Sequence, residues 1–273
     1  MDLSGRNYLP YLKANYLEYE RLRWVLGARF AAKAKVVYEF ETFYNQTTYL
    51  YPAMAALFRS LGVQIAPMWL YGLTPAAEYL GGSHYLNLYC TPRKAVSFRI
   101  AAEVFRATPR YTPYPVAATE EIVTPTWAVS FPRDVSIWSG NGLVMHSGPL
   151  DWTPFPLEAR PRHIIGHGRS PFVAYDGTGA YFLEAAGGHV DLTILPDAAF
   201  VRPPWQRQQR KPWERTCVLD RTARHPLVLH LPDWSAAAAR VRRLDATGAV
   251  DVPASAPGIA FEASPGSYRI ERP

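Results

Sequence analysis

The apolar positions of the first hundred residues follow two different periods. Residues 35–41, KVVYEFE, form a short run that is apolar in its first half, which predicts a strand. Met54, Leu57, Phe58 and Leu61 then recur at i, i+3, i+4 and i+7, predicting an amphipathic helix over residues 51–61. Pro52 suits the first helical position, and Gly62 is the left-handed residue that a helix end favours. Residues 63–69 are a second apolar run. Strand, helix and strand make a βαβ unit, with parallel strands and a right-handed crossover. A preceding helix is expected over residues 14–32, with Leu17, Leu22, Val25 and Leu26 as its buried stripe. A following helix is expected over residues 93–106, opened by Thr91-Pro92, with Val96, Ile100, Ala101, Val104 and Phe105 on one face.

At Pro109 the pattern changes. Residues 109–126 are proline-rich and aperiodic, and read as a linker. Beyond them come short β-rich runs at residues 127–131, 135–138, 143–146, 172–175, 180–183, 190–195, 228–231 and 268–271. Asp176-Gly177-Thr178-Gly179 reads as a hairpin turn joining two of these runs. Many short strands with turns between them predict an antiparallel β-sandwich. The expected fold class is therefore α/β plus all-β. Residues 1–110 would be part of a (β/α)8 barrel, 111–125 a linker and 126–273 the sandwich. A whole barrel takes eight strands and about 250 residues. The two strands read here would leave sheet edges open, so an upstream segment or a second chain is expected to complete it.

Composition narrows the function classes. Aromatic residues make up 14% of the 273 residues, including 8 Trp and 17 Tyr, which fits either carbohydrate handling or large aromatic cores. The net charge is +6, but the basic residues are dispersed, which argues against nucleic acid. Cys90 and Cys217 fall on opposite sides of the expected linker and are too few for a disulfide framework or a metal cluster. No apolar run approaches the roughly 18 residues of a membrane span, and the first residues, MDLSGRNYLPYLK, carry no apolar signal core.

In α/β folds the chemistry sits at the carboxyl ends of the strands. Those ends carry Glu39 and Glu41 on the first run, and Trp69 and Tyr71 on the second. Carboxylates do the covalent and proton-transfer work at glycosidic bonds, and aromatic faces stack on sugar rings. Val37, Glu39 and Glu41 share parity on an extended strand. Same-face neighbours lie about 7 Å apart and project in parallel, so they cannot bracket a sugar. His84, Tyr85 and Asn87, in the loop after the second run, could hydrogen-bond sugar hydroxyls or hold the loop itself. The alternative role for Glu39 and Glu41 is a structural ion pair. His163 and His167 lack a third ligand, so no metal is expected, and Ser170 lacks a nucleophile-elbow frame. No cofactor is implied.

The segments VYEFETF, YLYPAMAALFRSLGVQIAPMWLY, HYLNLYCTPRKAVSFRIAAEVFRATPRY and GHGRSPFVAYDGTGAYFLE, with LPDA, resemble bacterial cellulase-like glycoside hydrolases. These are similar to the large retaining clan A, with a (β/α)8 barrel and a C-terminal β-sandwich. The resemblance implies double displacement on a β-linked oligo- or polysaccharide, and relatives that are exported. It places the nucleophile at Glu39, with Glu41 as support or as the alternative nucleophile, and puts Trp69, Tyr71, His84, Tyr85 and Asn87 around the sugar. No segment matches the fourth strand, which carries that clan's acid/base, and Gly72 stands where an aspartate is expected. The expected activity is thus a glycoside hydrolase lacking its general acid. A non-catalytic carbohydrate-binding or structural module is the alternative.

Overall fold

The computed structural model describes residues 22–42, 45–79, 86–114, 120–151, 155–201, 214–232, 234, 239–245, 248–256 and 258–272. Helix α1 (Leu50–Ser60) forms where the 3.6-residue period places it, and all but one of its residues are buried. Its end is a Schellman motif. Gly62 takes φ 83°, its N–H donates to the Arg59 carbonyl, and the Val63 N–H donates to the Phe58 carbonyl. Helix α2 (Pro92–Ala107) buries Val96, Ile100, Ala101 and Val104, together with Lys94 and Ser97. The Thr91 side chain does not cap it. Its hydroxyl turns back to the Asn87 backbone instead.

Among the described residues, the remaining regular structure is fifteen strands and three 3-10 turns. The fifteen strands are β1 (Glu121–Val123), β2 (Trp127–Ser130), β3 (Val135–Gly140), β4 (Leu143–Ser147), β5 (His163–His167), β6 (Val173–Tyr175), β7 (Tyr181–Ala186), β8 (His189–Ile194), β9 (Asp197–Phe200), β10 (Cys217–Asp220), β11 (His225–Leu229), β12 (Arg240–Asp245), β13 (Gly248–Val252), β14 (Ile259–Ala263) and β15 (Gly266–Glu271). Ten of them make one sheet, in the order β1-β2-β3-β4-β5-β7-β8-β15-β12-β13. Every pairing in it is antiparallel except β4 with β5. A three-stranded sheet runs β14-β11-β6, and β9 pairs with β10. The β3–β4 hairpin turns on Asn141-Gly142, both at positive φ, as a two-residue primed turn requires.

Strand alternation sorts the large sheet into two faces. Trp127, Val129, Trp138 and Met145 share a core with α1 and α2. Ala128, Ile137, Val144, Ile164 and Leu183 share a second core with Leu227, Leu229, Ile259 and Phe261 of the three-stranded sheet. The result is three layers: two helices, a ten-stranded sheet and a small sheet.

This architecture overturns the partial (β/α)8 barrel. The runs at 35–41 and 63–69 meet through only two parallel bridges, Val36↔Ile65 and Phe40↔Met68, which never extend into a ladder. No regular alternation of helix and strand follows, and α2 packs on the antiparallel sheet instead of a barrel wall. Of the helix expected over 14–32, residues 14–21 lie outside the described residues; Leu22 is helical, but two 3-10 turns (Arg23–Leu26 and Ala28–Phe30) replace the helix after it. Between them Gly27 adopts φ −60°, ψ 153°, an extended conformation that ends helical propagation. The expected 176–179 hairpin is also absent. β6 and β7 lie in different sheets, and this segment carries the chain from one to the other. Its glycines answer close approach: a Cβ on Gly179 would stand 2.0 Å from the Leu195 carbonyl oxygen, and one on Gly177 would meet the Tyr175 hydroxyl at 2.1 Å.

Candidate functional site

The two bridged segments hold most of the residues singled out by sequence. Their backbones are tied by Gln64 N–H to the Lys35 carbonyl (2.9 Å), Val37 N–H to Ile65 (3.0 Å) and Trp69 N–H to Phe40 (3.1 Å). Phe40 anchors the pair inward, edge-on to Tyr51 and Phe58. The neighbours of these bridges face solvent: Tyr38 is 78% exposed, Trp69 45% and Tyr71 50%. Val36, Ile65 and Leu70 are exposed with them. A contiguous set of large apolar side chains at a surface marks a place of contact.

The two glutamates part company. Glu41 is buried, and its Oε1 accepts from Lys94 Nζ (2.7 Å), the Tyr51 hydroxyl (2.7 Å) and the Thr42 N–H (2.7 Å). Lys94 is fully buried. Burial pulls its ammonium below the usual lysine range, and the charge and hydrogen bond of Glu41 oppose that pull. Burial first, and the Glu41 charge second, push the Tyr51 hydroxyl well up. These partners lock the Glu41 carboxylate as an internal pin between the first bridged segment and both helices. Glu39 is half-buried and, among the described residues, has no hydrogen-bond or ion-pair partner.

Asn87 is buried and spends its amide on the loop. Its Nδ2 donates to the Gly72 carbonyl (2.8 Å), and its Oδ1 accepts from the Tyr89 (2.7 Å) and Cys90 (3.1 Å) N–H groups. This fixes the turn before α2 and buries the amide within it. The Tyr71 hydroxyl accepts from the Leu88 N–H (3.2 Å), holding its ring at the edge of the same turn. His84 and Tyr85 lie outside the described residues.

Sequence reasoning missed the cleft beside this surface. It encloses about 360 Å³ and is lined by Trp24, Phe30, Lys33, Lys35 and Tyr38, over a floor that includes Phe58. Trp24 and Phe30 meet edge to face, with ring centroids 5.2 Å apart. Lys35 Nζ lies 4.8 Å from the centre of the Tyr111 ring. The available signal was Gly27, which interrupts the expected helix three residues after the exposed Trp24.

Two histidines of the large sheet have depressed pKa values, His146 fully buried and His167 half-buried. His146 bonds the Tyr181 hydroxyl through Nε2 (2.6 Å) and the Gly148 carbonyl through Nδ1 (2.9 Å). Desolvation holds its pKa down at about 4. His167 is held at about 3, by burial first and then by the nearby Arg93 and His146. His163, four residues away on β5, is exposed. Among the described residues no three His, Cys, Asp or Glu side chains form a metal-binding group, and no helix is long and apolar enough to cross a membrane. No protein-family model, curated protein or solved structure matches this chain.

Proposed function

We propose that this chain binds carbohydrate on the aromatic surface formed by Tyr38, Trp69 and Tyr71 and the adjoining cleft at Trp24. The observation that carries the reading is the exposure of these rings around the two bridges, on backbone held by Phe40 and α1. Exposed rings on a fixed base offer flat apolar faces to sugar C–H groups at little cost in ordering. Glu39 and the Tyr38 hydroxyl supply polar edges for sugar hydroxyls, and Lys33 and Lys35 line the cleft beside them. Titrating the chain with soluble β-linked oligosaccharides, followed by tryptophan emission, tests this. A saturable change that Trp69→Ala abolishes supports it, and a flat response across the panel removes it.

Glycoside hydrolysis by double displacement is the second reading, favoured by one observation: Glu39 is a carboxylate beside these rings with no hydrogen-bond or ion-pair partner among the described residues. Retaining hydrolysis uses two carboxyls about 5 Å apart on either side of the bond. Glu41 is committed to Lys94, so Glu39 is the nucleophile in this reading and the acid comes from elsewhere. Glycosides with strongly activated leaving groups need little acid assistance. Incubation with them should yield a covalent adduct by intact mass that disappears in Glu39→Gln. Saturable sugar binding without an adduct leaves the binding reading alone.

A further inference from the structure

Residues Cys90 and Cys217, far apart in sequence, occupy one small apolar cluster with Ala77 and Leu219. Both are buried and unbridged. The Cys90 thiol donates to the Ala77 carbonyl at 2.7 Å. The chain segments around them are clamped together. The Thr216 N–H donates to the Glu78 carbonyl at 2.8 Å, and the Leu219 N–H donates to Glu78 Oε1 at 3.3 Å. Arg215 and Arg221 reach the same carboxylate, at 3.9 and 3.6 Å. This clamp fastens the 3-10 turn Thr74–Tyr79 and the Cys90 turn to β10.

We propose that Cys90 and Cys217 are a disulfide-forming pair, whose bond covalently fastens the loop that follows Trp69 and Tyr71 to the β-structure. The two thiols are buried in the same small apolar cluster. The Cys90 side chain holds the Cys217 thiol below the ordinary range, and Cys90 is pushed up in return. The thiolate is the attacking species, and in the folding chain either cysteine can supply it. With a small-molecule disulfide such as oxidised glutathione as the oxidant, the Cys217 thiolate, for example, attacks one of its sulfurs and expels the first glutathione thiolate. Cys90 then loses its proton and attacks the Cys217 sulfur of the mixed disulfide, expelling the second. Two protein thiols lose two electrons, and one glutathione disulfide becomes two glutathione thiols. The bond would close the long loop between residues 90 and 217, restricting the unfolded chain. Burial of both sulfurs makes the folding chain, before the cluster closes, the form in which exchange occurs.

The test is refolding of the whole chain from denaturant in a glutathione redox buffer, followed by alkylation, digestion and mass spectrometry. The expected product is a monomer carrying a Cys90–Cys217 linked peptide, with a melting temperature higher than that of the reduced chain and lowered again by reductant. A folded product with both thiols alkylated, with each cysteine held as a glutathione adduct, or linked between chains overturns the proposal. So does a linked product that has lost the near-ultraviolet circular dichroism of the reduced fold, because the bond would then belong to a misfolded species. Cys90→Ser and Cys217→Ser serve as peptide controls, each expected to retain a single glutathione adduct or a free thiol.

Discussion

Replacing Lys94 by methionine should expose what the buried Glu41 pin contributes. Lys94 Nζ and Glu41 Oε1 are 2.7 Å apart, and both side chains are almost completely buried. At an effective dielectric constant of about 20 their attraction is roughly 6 kcal/mol. Desolvation of the two ions costs several kcal/mol each, so the pair as a whole contributes little net stability. Removing one partner is a different matter, because the other charge stays buried without its 2.7 Å contact. Lys94→Met and Glu41→Leu should each cost about 3–5 kcal/mol. The double variant should recover much of that loss, giving a coupling energy larger than about 1.5 kcal/mol in a double-mutant cycle. Urea unfolding with an unchanged slope is the assay, since a changed slope would mean that the compactness of a state had moved. Single variants that each cost less than about 1 kcal/mol would refute the reasoning. Glu41 would then be no structural pin, and its distinction from Glu39 would fall.

Further outcomes follow from the same geometry. His146 and His167 are held neutral in the fold, at about 4 and about 3 against about 6.5 when unfolded. A depressed histidine pKa means that the unfolded chain takes up protons first, so stability is full above about pH 6.5 and falls as the pH drops toward 4. For His146 the loss reaches about 3 kcal/mol by pH 4. His146→Gln should flatten the slope of unfolding free energy against pH between 6 and 4.5 by close to one proton, and an unchanged slope would count against it. Gly62→Ala meets both a φ of 83° and the Tyr111 ring 2.3 Å from the new Cβ. It should cost about 1–2 kcal/mol for the left-handed backbone, plus displacement of that ring, readable as a lower urea midpoint. Phe58→Ala, at the foot of the cleft and fully buried against Phe40, should cost about 3–5 kcal/mol on the same measure.

Local signals were legible where local rules decide the structure. The spacing of Met54, Leu57, Phe58 and Leu61, with Gly62 after them, located α1 and its ending, and the β-rich runs around residues 127–146 became β2, β3 and β4. The barrel failed because a βαβ pattern is the same within one unit whatever surrounds it. The apolar runs that read as buried strands instead expose Val36, Tyr38, Ile65 and Trp69, while Phe40 turns inward to α1. Besides α1, helix α2 packs on β3, β4 and β5, supplied by the β-sheet that follows, which no helical period can name. The glycines of 176–179 looked like turn residues but serve a crossing between sheets. Parity put Glu39 and Glu41 on equal footing. The arrival of Tyr51 from α1 and of Lys94, 53 residues along the chain, separates the buried carboxylate from the available one. The meeting of Cys90 with Cys217 was equally invisible, since it depends on where β10 lands.

The central claim is that the rings around the two bridges hold carbohydrate. The direct measurement is affinity electrophoresis of the wild type, Trp69→Ala and Tyr38→Ala through gels containing soluble β-linked polysaccharides, with melting temperatures measured in parallel. Both rings are exposed, so neither substitution should lower the melting temperature by more than a few degrees. Retardation of the wild type in at least one polysaccharide, weakened in both variants at unchanged stability, is the predicted result. Identical mobility of all three proteins in every gel would contradict the account.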